Sequence, residues 1–206
     1  LHIHAYSPEE IDFGHRRSGM ELSEYLCWLV DAGLGTMPGT AAEILDDEIR
    51  KVLSPKKLDT ARWQEIIRAA HGVGIRTSST LMYGHIEEHR HIAGHLELLR
   101  NIQKETGGFT EFVPLGFVHS EAPMYMQKLV EGVQAGATGA DVIRMHAIAR
   151  IMLHGHVSNI QCSWVKEGTK FAQVLLAAGC NDVGGTLINE SISTSAGSQH
   201  GQLVPP

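Results

Sequence analysis

Ser79-Thr80-Leu81-Met82-Tyr83-Gly84-His85-Ile86-Glu87 is the stretch on which the fold turns. A β-prone apolar run stops at a glycine and is followed at once by an imidazole and a carboxylate. A buried strand that ends in polar groups is how an α/β protein presents chemistry at a strand mouth. The chain repeats the pattern, with further β-prone runs at 1–6, 34–37, 110–118, 157–163 and 182–188, this one spanning 75–83. Amphipathic helical segments lie between them. Residues 21–32 set Leu22, Tyr25, Leu26, Leu29 and Val30 on one face, and 60–71 do the same with Trp63, Ile66, Ile67 and Ala70. Three more follow at 91–104 (Leu96, Leu99, Ile102), 138–153 (Val142, Met145, Ala149, Met152) and 167–178 (Phe171, Val174, Leu175, Ala178). Asp59-Thr60 precedes one helix, and Gly33, Gly72 and Gly179 follow others, as helix punctuation should.

Strands alternating with helices predict a parallel sheet built from βαβ units. No Gly-x-Gly-x-x-Gly opens a helix after a strand, so a dinucleotide-binding sheet is not indicated. The reading is one α/β domain over 1–206, a partial (β/α) TIM-type barrel with about six of the eight units of the full fold. Residues 119–137, rich in Gly, Pro and Met, read as a long loop at the mouth.

Composition sets the outer limits. The chain has 206 residues, 43% hydrophobic and 19% charged, with net charge −6. Its 17 basic residues are spread along the chain and form no stripe for nucleic acid. No apolar run approaches the roughly 20 residues of a membrane span. Cys27, Cys162 and Cys180 are far apart and lack metal-ligand spacing, which fits a reducing cytoplasm. Cys27 is expected on an apolar helix face in the core, and Cys162 and Cys180 as packing residues. The chain opens on Leu1, within a strand, and closes on Pro205-Pro206, which reads as an internal fragment of a longer product.

Polar groups cluster where the strands end. The first strand offers His2, His4 and Ser7; the second Pro38-Gly39-Thr40 and Glu43; the third His85 and Glu87. His119 follows the fourth, Ser163, Trp164 and Lys166 the fifth, and Asn189-Glu190 the sixth, with Asn181 and Asp182 at its start. In a parallel barrel such ends converge. His2-x-His4 puts two imidazoles on one strand face, a geometry that holds a divalent metal or only a neighbouring strand end. Gly39 and Gly84 are turn residues, or openings at which free N–H groups meet an anion. Glu43 is a site carboxylate or a charge at a helix start. Trp164 is core or a stacking surface. His89, His91 and His95 fall at helical spacing and read as a surface face.

Several blocks together resemble a known family. They are His4-Ala5-Tyr6-Ser7-Pro8-Glu9-Glu10, Pro38-Gly39-Thr40-Ala41-Ala42-Glu43-Ile44-Leu45, the opening stretch, and Gly107-Gly108-Phe109-Thr110-Glu111-Phe112-Val113-Pro114-Leu115. Gln161-Cys162-Ser163-Trp164-Val165-Lys166 and Asn181-Asp182-Val183-Gly184-Gly185-Thr186-Leu187 complete the set. Over essentially its whole length the chain resembles the radical S-adenosylmethionine enzymes of deazaflavin (coenzyme F-420) synthesis, in the tyrosine-using branch of the FO synthase family. The related enzymes of the futalosine menaquinone pathway are the alternative. They typically differ where this chain has Thr40 and Ala41, Tyr83, and Gly184-Gly185-Thr186, so the tyrosine branch is preferred.

The resemblance implies a transferase that joins the 4-hydroxybenzyl group of L-tyrosine to 5-amino-6-(D-ribitylamino)uracil. It implies a 4Fe-4S cluster and S-adenosyl-L-methionine as cofactors, and a second FO synthase subunit or fused half as partner. It assigns His4, Glu43, Tyr83, Gly84, His85 and Leu115 to S-adenosylmethionine, with the Tyr83-Gly84-His85 turn cradling the adenine. His119, Trp164, Lys166, Asn181 and Glu190 are assigned to the substrates; no catalytic residue is singled out. The family's Cys-x-x-x-Cys-x-x-Cys cluster motif does not occur in this sequence. The six strands then correspond to the third to eighth of the barrel, and the fragment alone is expected to be inactive and prone to aggregate at its open edges. Two readings from other classes stand beside this one. One is a metal-dependent hydrolase using His2, His4, His85 and His119; the other is a non-catalytic fragment.

Overall fold

A computed structural model describes residues 1–185 and 191–200. In chain order the elements are β1 (Ile3–His4), α1 (Pro8–Ser18), α2 (Leu22–Asp31), β2 (Leu34–Met37), α3 (Asp47–Leu53), α4 (Thr60–Gly72), β3 (Arg76–Tyr83) and α5 (His89–Thr106). There follow β4 (Phe109–Gly116), α6 (Pro123–Met126), α7 (Gly139–Leu153), β5 (Asn159–Cys162), α8 (Trp164–Glu167), α9 (Thr169–Leu176), β6 (Asp182–Val183) and α10 (Ile192–Ser195). The strands pair in the order β1-β2-β3-β4-β5-β6, and every pairing is parallel. Sequential parallel order is what a βαβ chain makes when each strand is laid beside the last. The result is a curled half-barrel, a partial TIM-type barrel, as the alternation predicts.

β3 and β4 form the spine, paired from Thr77–Phe109 to Tyr83–Gly116. Because strand side chains alternate, β3 serves two surfaces. Leu81 and Tyr83 join the larger core, with Trp63 and Ile67 of α4, Leu96, Leu99 and Ile102 of α5, and Val142, Met145 and Ala149 of α7. The intervening Thr80 and Met82 face the cavity described below. A second cluster binds the first helices to β2: Ile11, Leu26, Leu29, Met37, Ile66, Ala70 and Ile75. Each fully buried aliphatic or aromatic side chain stabilises by about 1.5–3 kcal/mol. These two clusters hold the sheet so that all its C-terminal ends open on one side.

Helix ends follow local chemistry. Ser7 and Glu10 form a reciprocal capping box that starts α1, and Thr138 and Asp141 form one for α7. Asp59 accepts the Arg62 N–H at 2.7 Å to open α4. Among the described residues no helix is long and apolar enough to cross a membrane.

Several expectations are corrected. Cys27 lies exposed on α2, as does Val30, because the core-facing side of that helix is Leu22, Tyr25, Leu26 and Leu29. Cys162 and Cys180 are buried as expected. His91 and His95 are not a surface face: both are buried, and only His89 is exposed. His91 Nδ1 accepts a backbone N–H at the start of α5, and both nitrogens of His95 bond the backbone, between Leu45 and Thr80. The first strand shortens to Ile3–His4 because α1 begins at Pro8. β6 is described only at Asp182–Val183; residues 186–188 of the expected strand lie outside the described residues.

Candidate functional site

Between β2 and α3 the chain makes a tight turn, Pro38-Gly39-Thr40-Ala41-Ala42-Glu43. It is laced to β3: the Gly39 N–H donates to Ser78 Oγ at 3.1 Å, and Thr80 Oγ1 donates to the Gly39 carbonyl at 3.0 Å. A Cβ at Gly39 would stand 1.9 Å from the Ser78 carbonyl oxygen, so only glycine permits this approach. Met82 closes the lacing by donating its N–H to the Glu43 carbonyl at 2.7 Å.

The turn forms one wall of a cavity of about 390 Å³ at the C-terminal strand ends. Thr80, Met82 and Leu115 provide its floor; Ser7, Glu9 and Glu10 of the α1 region and Thr40, Ala41, Glu43 and Lys57 provide its sides. Glu43 is the focus. Its Oε1 meets Lys57 Nζ at 2.5 Å, and its Oε2 is buried with no hydrogen-bond partner among the described residues. A buried carboxylate oxygen without a donor is unfavourable unless something brings one. Arg50 Nη1 lies 3.6 Å from that oxygen, beyond hydrogen-bond reach, while the guanidinium bonds the Ala41, Ala42 and Leu58 carbonyls. The cavity therefore combines an apolar floor, two threonine hydroxyls and an acceptor awaiting a donor. An adenosine-like group with hydroxyls fits that set.

The Tyr83-Gly84-His85 turn is built differently. Gly84 has φ 86° and stands so close to Ala137 that a Cβ would come 2.5 Å from its N. Glu87 reaches back to accept the Gly84 and His85 N–H groups at 2.5 and 2.8 Å. His85 is fully buried; its Nδ1 accepts the Ile86 N–H at 2.7 Å and its Nε2 donates to the Met82 carbonyl at 3.0 Å. Burial pushes its pKa down, against the pull of Glu87. The Tyr83 ring turns to the helix side, where burial pushes its hydroxyl pKa up and the oxygen has no partner among the described residues. Tyr83 and Gly84 line a second space, about 400 Å³, bounded by Ile92 and Ala93 of α5 and Met145 and Ile148 of α7.

The other candidates are distributed. His4 Nδ1 and His2 Nε2 both bond the Thr36 hydroxyl at 2.7 Å, and burial followed by the nearby His2 lowers the His4 pKa. His119 packs edge-on against Tyr125 of α6, with centroids 4.9 Å apart. The loop 119–137 folds back over the His85 turn, the Gln134 N–H bonding the His85 carbonyl at 2.7 Å. Lys166 reaches Ser193 Oγ at 3.3 Å. Trp164 is buried in the core, its indole N–H donating to the Gly185 carbonyl at 3.1 Å. Asn181 stands at the opposite rim, before β6, where its side-chain oxygen accepts from Arg150 Nη2 at 2.6 Å and the Ile160 N–H at 2.9 Å. Glu190 lies outside the described residues. Of the predicted set, Glu43 and Leu115 share the cavity, with His4 on the adjacent strand.

Sequence reasoning missed Arg50, Lys57, Thr80 and Met82. Arg50 carries no local signal, because the seven residues of α3 are too few to show an apolar period. The four imidazoles of the hydrolase reading are not assembled. Among the described residues the metal-capable trio is Asp46, Glu48 and His91, which includes none of those four. Asp46 caps α3, and His91 Nδ1 accepts the Glu88 N–H at 2.9 Å. Nor do the cysteines make a cluster site: Cys27 is exposed on α2, while Cys162 and Cys180 are buried in the core on the far side of the chain. Three thiolates within reach of one cluster are absent among the described residues.

The chain is a parallel α/β half-barrel with a cavity at the C-terminal strand ends, and residues 106–203 match the family described as the CofH/MqnC C-terminal region. More particularly, the chain is 52% identical over 206 residues to the 5-amino-6-(D-ribitylamino)uracil–L-tyrosine 4-hydroxyphenyl transferase of Methanothermobacter thermautotrophicus, covering all of this chain and 55% of that protein. It is 53% identical over 201 residues to the transferase of the same name from Methanocaldococcus jannaschii, covering 98% of this chain and 55% of that one. The FO synthase of Mycobacterium tuberculosis is 55% identical over 201 residues, 98% of this chain and 23% of its own length. The resemblance carried by the sequence blocks is borne out. The chain spans about half the length of the separate transferases it matches.

Proposed function

We propose that this chain is the substrate-facing part of a radical S-adenosylmethionine transferase that joins the 4-hydroxybenzyl group of L-tyrosine to 5-amino-6-(D-ribitylamino)uracil. What carries the reading is the identity of 52–53%, over 201 to 206 residues, to transferases of that name. S-adenosylmethionine, when bound, supplies the hydrogen-abstracting chemistry that the protein's own side chains lack. Its 4Fe-4S partner finds no ligand set here, so in this reading the cluster is held by thiolates outside these 206 residues. A second FO synthase subunit or fused half and a reducing cytoplasmic setting belong to the same reading.

The residues of the chain bind, orient and exclude water. Glu43 Oε2 accepts hydrogen bonds from S-adenosylmethionine, while Lys57 and Arg50 balance its charge. Met82 and Leu115 offer the apolar surface on which a purine lies. The Gly84 and His85 turn, backed by Glu87, shapes the wall next to Met82, and His4 fixes β2 beside it through Thr36. The loop over that turn keeps solvent from the mouth, which a reactive intermediate requires. His119 and Lys166 face the substrates on the side of β4 and β5. Trp164 holds the exit of β6 through Gly185, and Asn181 secures its entry.

The test is an anaerobic assay of the full-length protein with reductant, S-adenosylmethionine, L-tyrosine and the aminouracil, followed by mass spectrometry. The coupled 4-hydroxybenzyl product, formed with 5′-deoxyadenosine, is expected. Tyrosine left uncleaved by a cluster-loaded protein, or turnover of a futalosine-pathway substrate in its place, would contradict the proposal.

A further inference from the structure

Arg50 does more in the structure than offset the charge of Glu43. It lies on α3 with 3% of its surface exposed. Its Nε donates to the Leu58 carbonyl at 2.9 Å, its Nη2 to the Ala41 carbonyl at 3.2 Å and also to Leu58, and its Nη1 to the Ala42 carbonyl. A guanidinium is a rigid planar fork, so three carbonyls bonded to it are held in fixed relative positions. Two of them belong to a turn in which Ala41 and Glu43 have φ of 56° and 39°. Residues with a Cβ rarely adopt that region unless their surroundings impose it. The third, Leu58, gives its N–H to Glu9 Oε2 at 3.1 Å. Glu9, Ala41 and Glu43 all line the cavity, so one guanidinium ties two of its walls, the turn directly and the α1 side through Leu58.

We propose that Arg50 is a positioning residue for the S-adenosylmethionine site: it clamps the Ala41-Ala42-Glu43 turn in its left-handed form and thereby sets where the Glu43 carboxylate stands. The inference rests on reading this cavity as the S-adenosylmethionine site. It makes a claim that general stability does not: Arg50 matters to binding through Glu43. Lys57, with 42% of its side chain exposed, cannot take over, because it touches only Oε1 and bonds none of the turn's carbonyls. A lysine at position 50 would keep the charge but lose the fork.

The experiment uses the full-length protein and two readouts, calorimetric binding of S-adenosylmethionine and amide hydrogen exchange. Arg50→Lys is expected to weaken binding at least about tenfold and to speed exchange at residues 41–44 by a similar factor, leaving β3 protected. In a Glu43→Gln background the same change should weaken binding by less than about twofold, since the group being positioned is already altered. Ala41→Gly, which tolerates positive φ, should recover most of the affinity lost in Arg50→Lys. Wild-type affinity in Arg50→Lys, or an equal loss with and without Glu43, would overturn the proposal. If Arg50→Lys does not fold, Ala41→Val strains the same turn without touching the guanidinium; wild-type affinity and exchange in that variant would overturn it too. If the wild-type protein fails to bind S-adenosylmethionine, the cavity reading falls, and unchanged exchange at 41–44 in Arg50→Lys separately overturns the clamp.

Discussion

At the scale of single residues, buried histidines make this fold sensitive to acid. His95 is fully buried, its Nδ1 accepting the Leu45 N–H at 2.9 Å and its Nε2 donating to the Thr80 carbonyl at 3.0 Å. Burial pushes its pKa from 6.5 down to about 3, and that of His71, between Thr106 and Thr77, down to about 4. The unfolded chain takes up these protons near the unperturbed value, whereas the folded chain refuses them until lower pH. Their contribution is therefore complete above pH 6.5 and drains away as the pH falls from there toward 4 and then 3. The slope for His95 approaches about 1.4 kcal/mol per pH unit. Urea midpoints measured across this window should fall for the wild type and fall less steeply for His95→Gln; parallel curves would count against the assignment. His95 also shows what the sequence concealed. Spacing placed it on a helix, but only tertiary packing decides which helix face meets the turn at Leu45, and that face was the polar-looking one.

At the scale of elements, stability resides where helices meet β3 and β4. Leu99 of α5 is fully buried among Trp63, Phe112 and Ile160, so Leu99→Ala should destabilise by about 2–5 kcal/mol. Ile151 of α7 is 76% exposed, and Ile151→Lys should stay within about 0.5 kcal/mol. Thermal unfolding of the two variants checks both, and comparable shifts would mean the helix layer is packed otherwise. Long periodic elements were legible: 34–37 is the strand seen, β3 differs by one residue, and the helices holding Trp63, Leu99 and Val142 fall where their apolar spacing predicts. Short ones were not. α1 was passed over although Ser7 and Glu10 spell its capping box, because Ile11 is the one apolar residue of that helix that reaches full burial. α3, at seven residues, is too short to show a period.

At the scale of the whole molecule, the parallel sheet could be read from repeated strand-end chemistry, and a cavity does open at its C-terminal rim. Which side chains share a cavity could not. Adjacent residues of a strand face opposite ways, so Met82 enters the cavity while Tyr83 enters the helix layer. Asn181 precedes its strand and consequently lies at the far rim, tied to Arg150. Arg50 and Lys57 converge on Glu43 from a helix and a link whose placement no local pattern encodes. The account makes Glu43, Met82 and Leu115 the centre of the molecule's binding function, distinct from the space between α5 and α7. A crystal structure of the full-length protein with S-adenosylmethionine tests this most directly. The account predicts the nucleoside over Met82 and Leu115 with a hydroxyl or amino group bonded to Glu43 Oε2; the ligand seated between α5 and α7, or Glu43 left without contact to it, would contradict the account.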